Sequence, residues 1–355
     1  MKNKKLLFTP GPVNTPTYFR DTKFTKMVLE NEKLLLKHTG CKNGKVVLYT
    51  MSGTGALDAV VTNLISDEDK VLVIVGGGFG KRWYDICKFY NKNVIPFYTA
   101  FGKNIDLKQL EQTIKLNNIN MILCQHHETN SGQLYNIKSI GILAMQYGAR
   151  FIVDAISSFL TDDFHMDEMH VDACVISTQK GLRLDPGIAF IIIKEGLLSE
   201  IKDVKKLNFY NNIDTYLSEY CLKNGHTPFT PPVNLIYVIN WRLKEIKYVD
   251  KIIRKQELIA TNFRYEIKDL PLKMLPETPS NFLTALLITD DKFSAVDLYE
   301  YLKKKGMFIS KVGKAHENFL INATKRFFLV SHIGCNWEEH KELIKEMKKF
   351  FGDKK

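Results

Sequence analysis

Phe151-Ile152-Val153-Asp154-Ala155-Ile156-Ser157-Ser158 and Ser177-Thr178-Gln179-Lys180-Gly181 decide how the rest of the chain reads. The first stretch is a short apolar run that closes on a carboxylate. A run of this length, bounded by small polar residues, reads as a buried strand. A carboxylate at the end of such a strand needs a cationic or hydrogen-bond donor partner. The second stretch closes another apolar run on a lysine, 26 residues after Asp154. Working outward, short apolar runs at 46–49, 70–75, 93–98, 121–125, 150–153, 173–177 and 188–193 read as strands. Helical patterns separate several of them, at 82–90, 107–116 and 137–147 and in the stretch that runs through Leu64. Strands alternating with helices predict an α/β fold built on a mainly parallel sheet covered on both faces.

After about Pro232 the texture changes. A long helical pattern covers 234–253, a strand 283–289, a helix 294–305 followed by Gly306, and a strand 327–332. Trp337, Leu343 or Ile344, Met347 and Phe350 recur at helical spacing and predict a C-terminal amphipathic helix. The expected organisation is an N-terminal arm at 1–14, a large domain at 15–235 and a smaller α+β domain at 236–355. The net charge of +11 comes from dispersed lysines, and the basic runs Lys303-Lys304-Lys305 and Lys348-Lys349 read as solvated helix ends. This charge implies a mild pull on anionic substrates, not a nucleic-acid surface. None of the six cysteines forms a C-x-x-C pair, so they read as small buried hydrophobes. The apolar run near the N-terminus is too short for a signal sequence, and no run approaches the roughly 18 apolar residues of a membrane span. The expected compartment is the reduced cytoplasm, with no membrane partner.

Two glycine-bearing segments bear on ligand binding. In Gly76-Gly77-Gly78-Phe79-Gly80-Lys81-Arg82, Val75 and Arg82 break the P-loop pattern, and Lys81 breaks the dinucleotide fingerprint. It reads as a tight strand–helix turn, with a ligand-facing loop as the alternative. Ser52-Gly53-Thr54-Gly55 is the better phosphate cradle, since short residues let backbone N–H groups at a helix N-terminus approach an anion. An ordinary helix cap would look the same. Asp154 and Lys180 at the carboxyl ends of strands fit pyridoxal phosphate chemistry: the lysine forms the imine, and the aspartate holds the proton on the ring nitrogen. His126-His127-Glu128 lacks the further ligands a metal site needs, so no metal is expected.

With these residues in place the chain resembles the class V aminotransferases, enzymes of fold type I. It looks most like the branch that holds alanine–glyoxylate, serine–pyruvate and 2-aminoethylphosphonate–pyruvate transaminases. The resemblance runs in order through Thr9-Pro10-Gly11-Pro12, Ser52 to Leu57, Gly78 to Arg82, His127 to Gly132, Val153 to Ser158, Ser177 to Leu182, Pro186-Gly187 and Thr230-Pro231-Pro232. It implies the fold type I architecture of PLP-dependent transferases, with a large domain on a mainly parallel seven-stranded sheet and a smaller C-terminal α+β domain. It implies Lys180 as the Schiff-base lysine and acid/base, and Asp154 as partner of the ring nitrogen. Gly53, Thr54 and Gln179 would bind the phosphate, and Thr230 would reach the phosphate of a neighbouring subunit in a homodimer with shared sites. Phe79 would stack on one ring face and Ile156 press on the other, with Thr129 near the ring hydroxyl. Pro10 and Gly11 would lie over the substrate.

One segment departs from the family pattern. Phe328-Leu329-Val330-Ser331-His332-Ile333-Gly334 carries Leu329 where the family usually has a carboxylate-gripping arginine. Leucine offers neither charge nor donors. Arg326 and Arg183 are the candidates to replace it. The expected activity is a PLP-dependent aminotransferase that moves an amino group from a small amino donor to a 2-oxo acid, pyruvate or glyoxylate, by a ping-pong mechanism through a Lys180 aldimine. The alternative on the same fold is a lyase, decarboxylase or desulfurase.

Overall fold

A computed structural model describes residues 21–312 and 323–352. Seven strands form the main sheet: β1 (Gly44–Tyr49), β2 (Val71–Val75), β3 (Val94–Tyr98), β4 (Met121–Gln125), β7 (Arg150–Asp154), β8 (Ala173–Ser177) and β9 (Ala189–Lys194). The short strands β5 (His127–Glu128) and β6 (Gln133–Leu134) pair separately as a hairpin beyond β4. The order across the sheet is β1-β9-β8-β7-β4-β2-β3. The run from β3 to β8 is parallel, and only β9 opposes its neighbours. Strands β2, β4 and β8 are buried at every residue, as a sheet covered on both faces requires.

Helices α1 (Thr22–His38), α2 (Gly53–Leu64), α3 (Gly78–Phe89), α4 (Leu107–Asn117) and α5 (Ile137–Gln146) accompany the first strands, and α6 (Glu195–Glu200), α7 (Ile213–Tyr216) and α8 (Glu219–Asn224) follow β9. The covering helices divide the core in two. One side holds Leu57, Val60, Val73, Trp83 and Ile191, and the other holds Leu35, Ile122, Phe151, Ile176 and Ile239.

The remaining elements are α9 (Val233–Glu245), α10 (Val249–Glu266), β10 (Leu272–Met274), β11 (Leu283–Ile288), α11 (Ala295–Lys303), β12 (Ser310–Lys311), α12 (Ala323–Arg326), β13 (Phe327–Ser331) and α13 (Trp337–Gly352). The strands make an antiparallel sheet in the order β10-β11-β13-β12. One face, with Leu286, Ile288, Phe328 and Val330, packs on Phe263, Leu298, Met347 and Phe350 of the helices. The other face carries Leu283, Ala285, Phe327 and Leu329 with Phe282. It turns toward the main sheet: a Cβ built on Gly132 would lie 3.0 Å from Ala285 Cβ and 3.2 Å from Leu283 Cδ1.

The single helix expected over 234–253 is two helices. The chain leaves helical geometry at Ile246 and re-enters after Tyr248, which caps α10 with extended backbone. Leu243 and Ile246 belong to the main core, whereas Phe263 belongs to the second one. The apolar period continues across the break: Val249 and Ile252 at the start of α10 still pack against the main core, and the second core is reached at Phe263. Helix α1 carried no sequence expectation. It starts at Asp21, whose side chain accepts from the Lys23 and Phe24 N–H groups. Five of the six cysteines are buried as free thiols, and Cys335 is exposed. No helix among the described residues is long and apolar enough to cross a membrane.

Candidate active site

Strand β7 delivers Asp154 to its carboxyl end, and β8, parallel and adjacent, runs out three residues before Lys180. The turns after the two strands are locked together. Ala155 N–H donates to Val175 O at 2.9 Å, and Gly181, next to Lys180, lies so close that a Cβ there would meet Phe159 O at 1.9 Å. Only glycine permits that approach. Asp154 and Lys180 therefore converge in one cleft, which Ser52, Gly53, Thr54, Phe79, Arg82, His127, Thr129, Ile156, Ser157 and Gln179 also line.

The two titrating groups are shifted toward each other. Burial pushes the Asp154 carboxyl up to about 6, against the Ile156 N–H and the charges of Arg82 and Lys180. Burial also lowers the Lys180 amine, with Asp154 opposing it. Its Nζ stands 5.2 Å from the centroid of the Phe282 ring. Asp154 Oδ1 accepts from Ile156 N–H at 2.8 Å, and Oδ2 has no hydrogen-bond partner among the described residues. A buried carboxyl with an open oxygen calls for a cationic or protonated partner in the cleft.

Helix α2 opens onto the same space. Ser52 caps it weakly, Oγ accepting from Gly55 N–H at 3.3 Å, and Arg82 Nη1 donates to Thr54 Oγ1 at 3.0 Å. A Cβ on Gly53 would lie 2.5 Å from Ile156 Cδ1, so a side chain at the first residue of the helix would have to displace the tip of Ile156. Helix α3 ends differently. The fully buried Glu128 places its carboxylate on that N-terminus: Oε2 accepts from Phe79 and Gly80 N–H and from Gln125 Nε2, each at 3.1 Å. Oε1 accepts from Asn130 N–H at 3.2 Å. The glycine-rich segment at 76–82 is thus a strand–helix turn whose anion comes from the chain itself.

On a third wall, Thr129 Oγ1 lies 3.0 Å from Ser157 Oγ, which lies 2.9 Å from His127 Nδ1. Gly53, Thr54, Phe79, Thr129, Asp154, Ile156, Gln179 and Lys180 all line this one cleft. Thr230 is exposed and outside it. Arg326 is also outside: its guanidinium pairs with Asp291, which commits its charge to the surface of the second sheet. Arg183 donates to Gln256 Oε1 at 3.0 Å on left-handed backbone, φ 58°. Neither arginine reaches the cleft. Pro10 and Gly11 lie outside the described residues.

The sequence model of the family Aminotransferase class-V matches residues 11–325. The chain belongs to this family. The aminotransferase is 28% identical over 314 residues to an L-aspartate–glyoxylate aminotransferase of Paracoccus denitrificans, covering 82% of this chain and 78% of that protein. It is 25% identical over 368 residues to a 2-aminoethylphosphonate–pyruvate transaminase of Lysinibacillus sphaericus, covering 98% and 97%. Its fold matches the crystal structure of an alanine–glyoxylate aminotransferase from Nostoc sp. with a TM-score of 0.85 at 21% identity, covering 95% and 89% of the two chains. It is a PLP-dependent enzyme of fold type I.

The cleft of the aminotransferase fits that cofactor. An open helix end suits its phosphate, a buried carboxyl with a free oxygen suits its ring nitrogen, and an amine of lowered basicity suits its aldehyde. Sequence reasoning missed Arg82, Glu128, His127, Ser157 and Phe282. Arg82 and His127 stood inside motifs already singled out, where their residue types were the available signal. Phe282 carried none, because it enters from the second sheet.

Proposed function

We propose that this aminotransferase moves an amino group from a small amino donor to a 2-oxo acid such as pyruvate or glyoxylate, in two successive half-reactions at one site. The observation that carries the reading is the convergence of Lys180 and Asp154, from neighbouring parallel strands, beside the unfilled N-terminus of α2. When bound, PLP supplies an electron sink for the carbon that bears the amine.

The chain's own groups do the rest. Backbone N–H groups at Gly53 and Thr54, with Gln179 and the Arg82 guanidinium, hold the phosphate. Asp154 keeps a proton on the ring nitrogen. Phe79 and Ile156 hold the ring between them. Lys180 Nζ, less basic because it is buried, holds the cofactor and then takes and returns a proton at the substrate's amine-bearing carbon. Residues 15–235 supply these groups, and residues 236–355 supply the wall at Phe282, a two-domain division that belongs to the same proposal. Thr230, exposed and away from its own cleft, is free to serve the phosphate end of a second copy in a homodimer. The cysteines, none of them paired, suit the cytoplasm.

The alternative of a lyase, decarboxylase or desulfurase rests on Leu329, which joins Phe282 in an apolar cluster and offers no grip on a carboxylate. The desulfurase version needs Cys335 as a thiolate, yet partial desolvation of this otherwise exposed residue and the charge of Glu339 push that thiol up, against Arg183. The test is a half-reaction. Holoenzyme mixed with amino acids and aminophosphonates, without acceptor, should change its visible absorbance once per site, and pyruvate or glyoxylate should reverse the change. An absorbance that no amine alters, or that no 2-oxo acid restores, overturns the transaminase reading.

A further inference from the structure

His127 is a buried imidazole on the cleft wall, 2% exposed, and the reading above gives it no task. Its Nδ1 lies 2.9 Å from Ser157 Oγ. That hydroxyl is also 3.0 Å from Thr129 Oγ1 and 3.4 Å from the His127 carbonyl oxygen. The other ring nitrogen, Nε2, is buried with no hydrogen-bond partner among the described residues. Burial holds this imidazole well below the usual histidine range, and the neighbouring His126, Lys180 and Arg264 push it the same way. The ring is neutral and carries one N–H.

With the Ser157 proton on one of its two nearer partners, rather than on the His127 carbonyl at 3.4 Å, a long contact for a hydroxyl donor, two arrangements of protons satisfy the distances. In the first, Ser157 donates to Nδ1, Thr129 donates to Ser157, and the imidazole N–H sits on Nε2, buried and unpaired. In the second, Nδ1–H donates to Ser157 Oγ and Ser157 donates to Thr129 Oγ1. Nε2 is then a bare acceptor, and the Thr129 proton is free to point into the cleft. A buried N–H without an acceptor is rarer and costlier than an acceptor left without a donor. The second arrangement is therefore favoured.

We propose that His127 is a positioning residue whose Nδ1–H tautomer, relayed through Ser157, fixes the Thr129 hydroxyl as a hydrogen-bond donor to an ionised ring oxygen of the bound cofactor. The proposal rests on the reading of this cleft as the PLP site with Thr129 beside the ring hydroxyl. A donor at that oxygen stabilises its ionised form.

The first measurement is nitrogen NMR of holoenzyme carrying labelled histidine, with the His127 signal assigned by its absence from the His127→Asn variant. The expected pattern is a neutral ring protonated on Nδ1. Protonation on Nε2, or on both nitrogens, overturns the proposal without touching the transaminase reading. The second measurement compares variants. His127→Asn keeps a donor near the δ position, whereas His127→Gln and His127→Phe do not. In the last two the midpoint pH of the bound cofactor's absorbance change should rise by about half a unit to one unit, and its dissociation constant by about three- to tenfold, the range of one hydrogen bond. His127→Asn should stay near the wild type. Equal behaviour of all three variants overturns the relay. Failure of every protein, wild type included, to hold PLP would instead sink the cofactor assignment.

Discussion

Helices α2 and α3 begin alike and end up with opposite tasks. Each follows a strand of the main sheet, each opens on glycine, and each N-terminus meets the carboxyl edge where ligands bind. At α3 the buried Glu128 carboxylate takes the Phe79 and Gly80 N–H groups, so this end is occupied from within the chain. At α2 only the Ser52 hydroxyl approaches, at 3.3 Å from Gly55 N, and the end stays open to the cleft. The contrast shows that a glycine-rich helix start is an anion site only when the chain declines to fill it. The longer glycine run, 76–80, marks the filled end, and the shorter one marks the open end.

The largest break in this contrast is to empty the filled end. Glu128→Ala strands four donors: Phe79 N–H, Gly80 N–H, Asn130 N–H and Gln125 Nε2. Unfolding free energy should fall by about 2–4 kcal/mol, since each buried unsatisfied group costs on the order of 1–3 kcal/mol and water entering the space recovers part of it. PLP affinity should fall as well, because Phe79 loses its anchor. Denaturant titration and cofactor titration check the two effects. A stability loss under about 1 kcal/mol would mean that Glu128 does not hold the turn.

The converse change fills the open end. Thr54→Asp puts a carboxylate at the start of α2 beside Arg82, which now donates to Thr54 Oγ1. PLP and inorganic phosphate should both bind about thirtyfold more weakly, roughly 2 kcal/mol of like-charge opposition and lost cation. The cofactor-free protein should melt no lower, since a carboxylate at a helix N-terminus stabilises by about 0.3–1 kcal/mol. Unchanged phosphate affinity would remove α2 from the site.

The same contrast explains what could be read in the linear chain. Asp154 and Lys180 were legible because strand ends and motif order fix them locally, and the parallel sheet followed from alternation. The segment at 76–82 departs from the P-loop and dinucleotide patterns at Val75, Lys81 and Arg82, and two of its amides go to Glu128 while Phe79 and Arg82 face the cleft. The start of α3 at Gly78, four residues before the expected 82, was not legible, because the group that caps it lies about fifty residues away at Glu128. The break between α9 and α10 was hidden because the apolar stripe runs on through it: Leu243 and Ile246 before the break and Val249 and Ile252 after it pack on the same core. The candidate substrate arginine failed at Arg326 because charge was visible in the sequence and its partner Asp291 was not.

The smallest effect separates charge from occupancy at the filled end. Burial raises the Glu128 carboxyl from 4.5 to about 7, outweighing the donors from Gly80, Asn130 and Phe79, and Asp154 adds to the rise. The folded state therefore binds this proton more tightly than the unfolded chain does. The stabilisation linked to it is complete below about pH 4.5 and is lost as pH climbs through about 7. Relative to Glu128→Gln, which cannot titrate, the wild type should lose stability across that window, by about 1.4 kcal/mol for each unit by which the folded state raises this carboxyl. Asp162, raised to about 6, titrates in the same window in both proteins and cancels in the difference, whereas Asp154, also raised to about 6, is coupled to Glu128, so the difference reports position 128 together with that coupling. Denaturant midpoints at a series of pH values give the comparison. If the wild type gains stability over the Gln variant as pH rises, the negative charge itself holds α3, and the filled end is an electrostatic device. If it loses stability, as expected, hydrogen-bond occupancy holds the turn and the charge is a cost of burial.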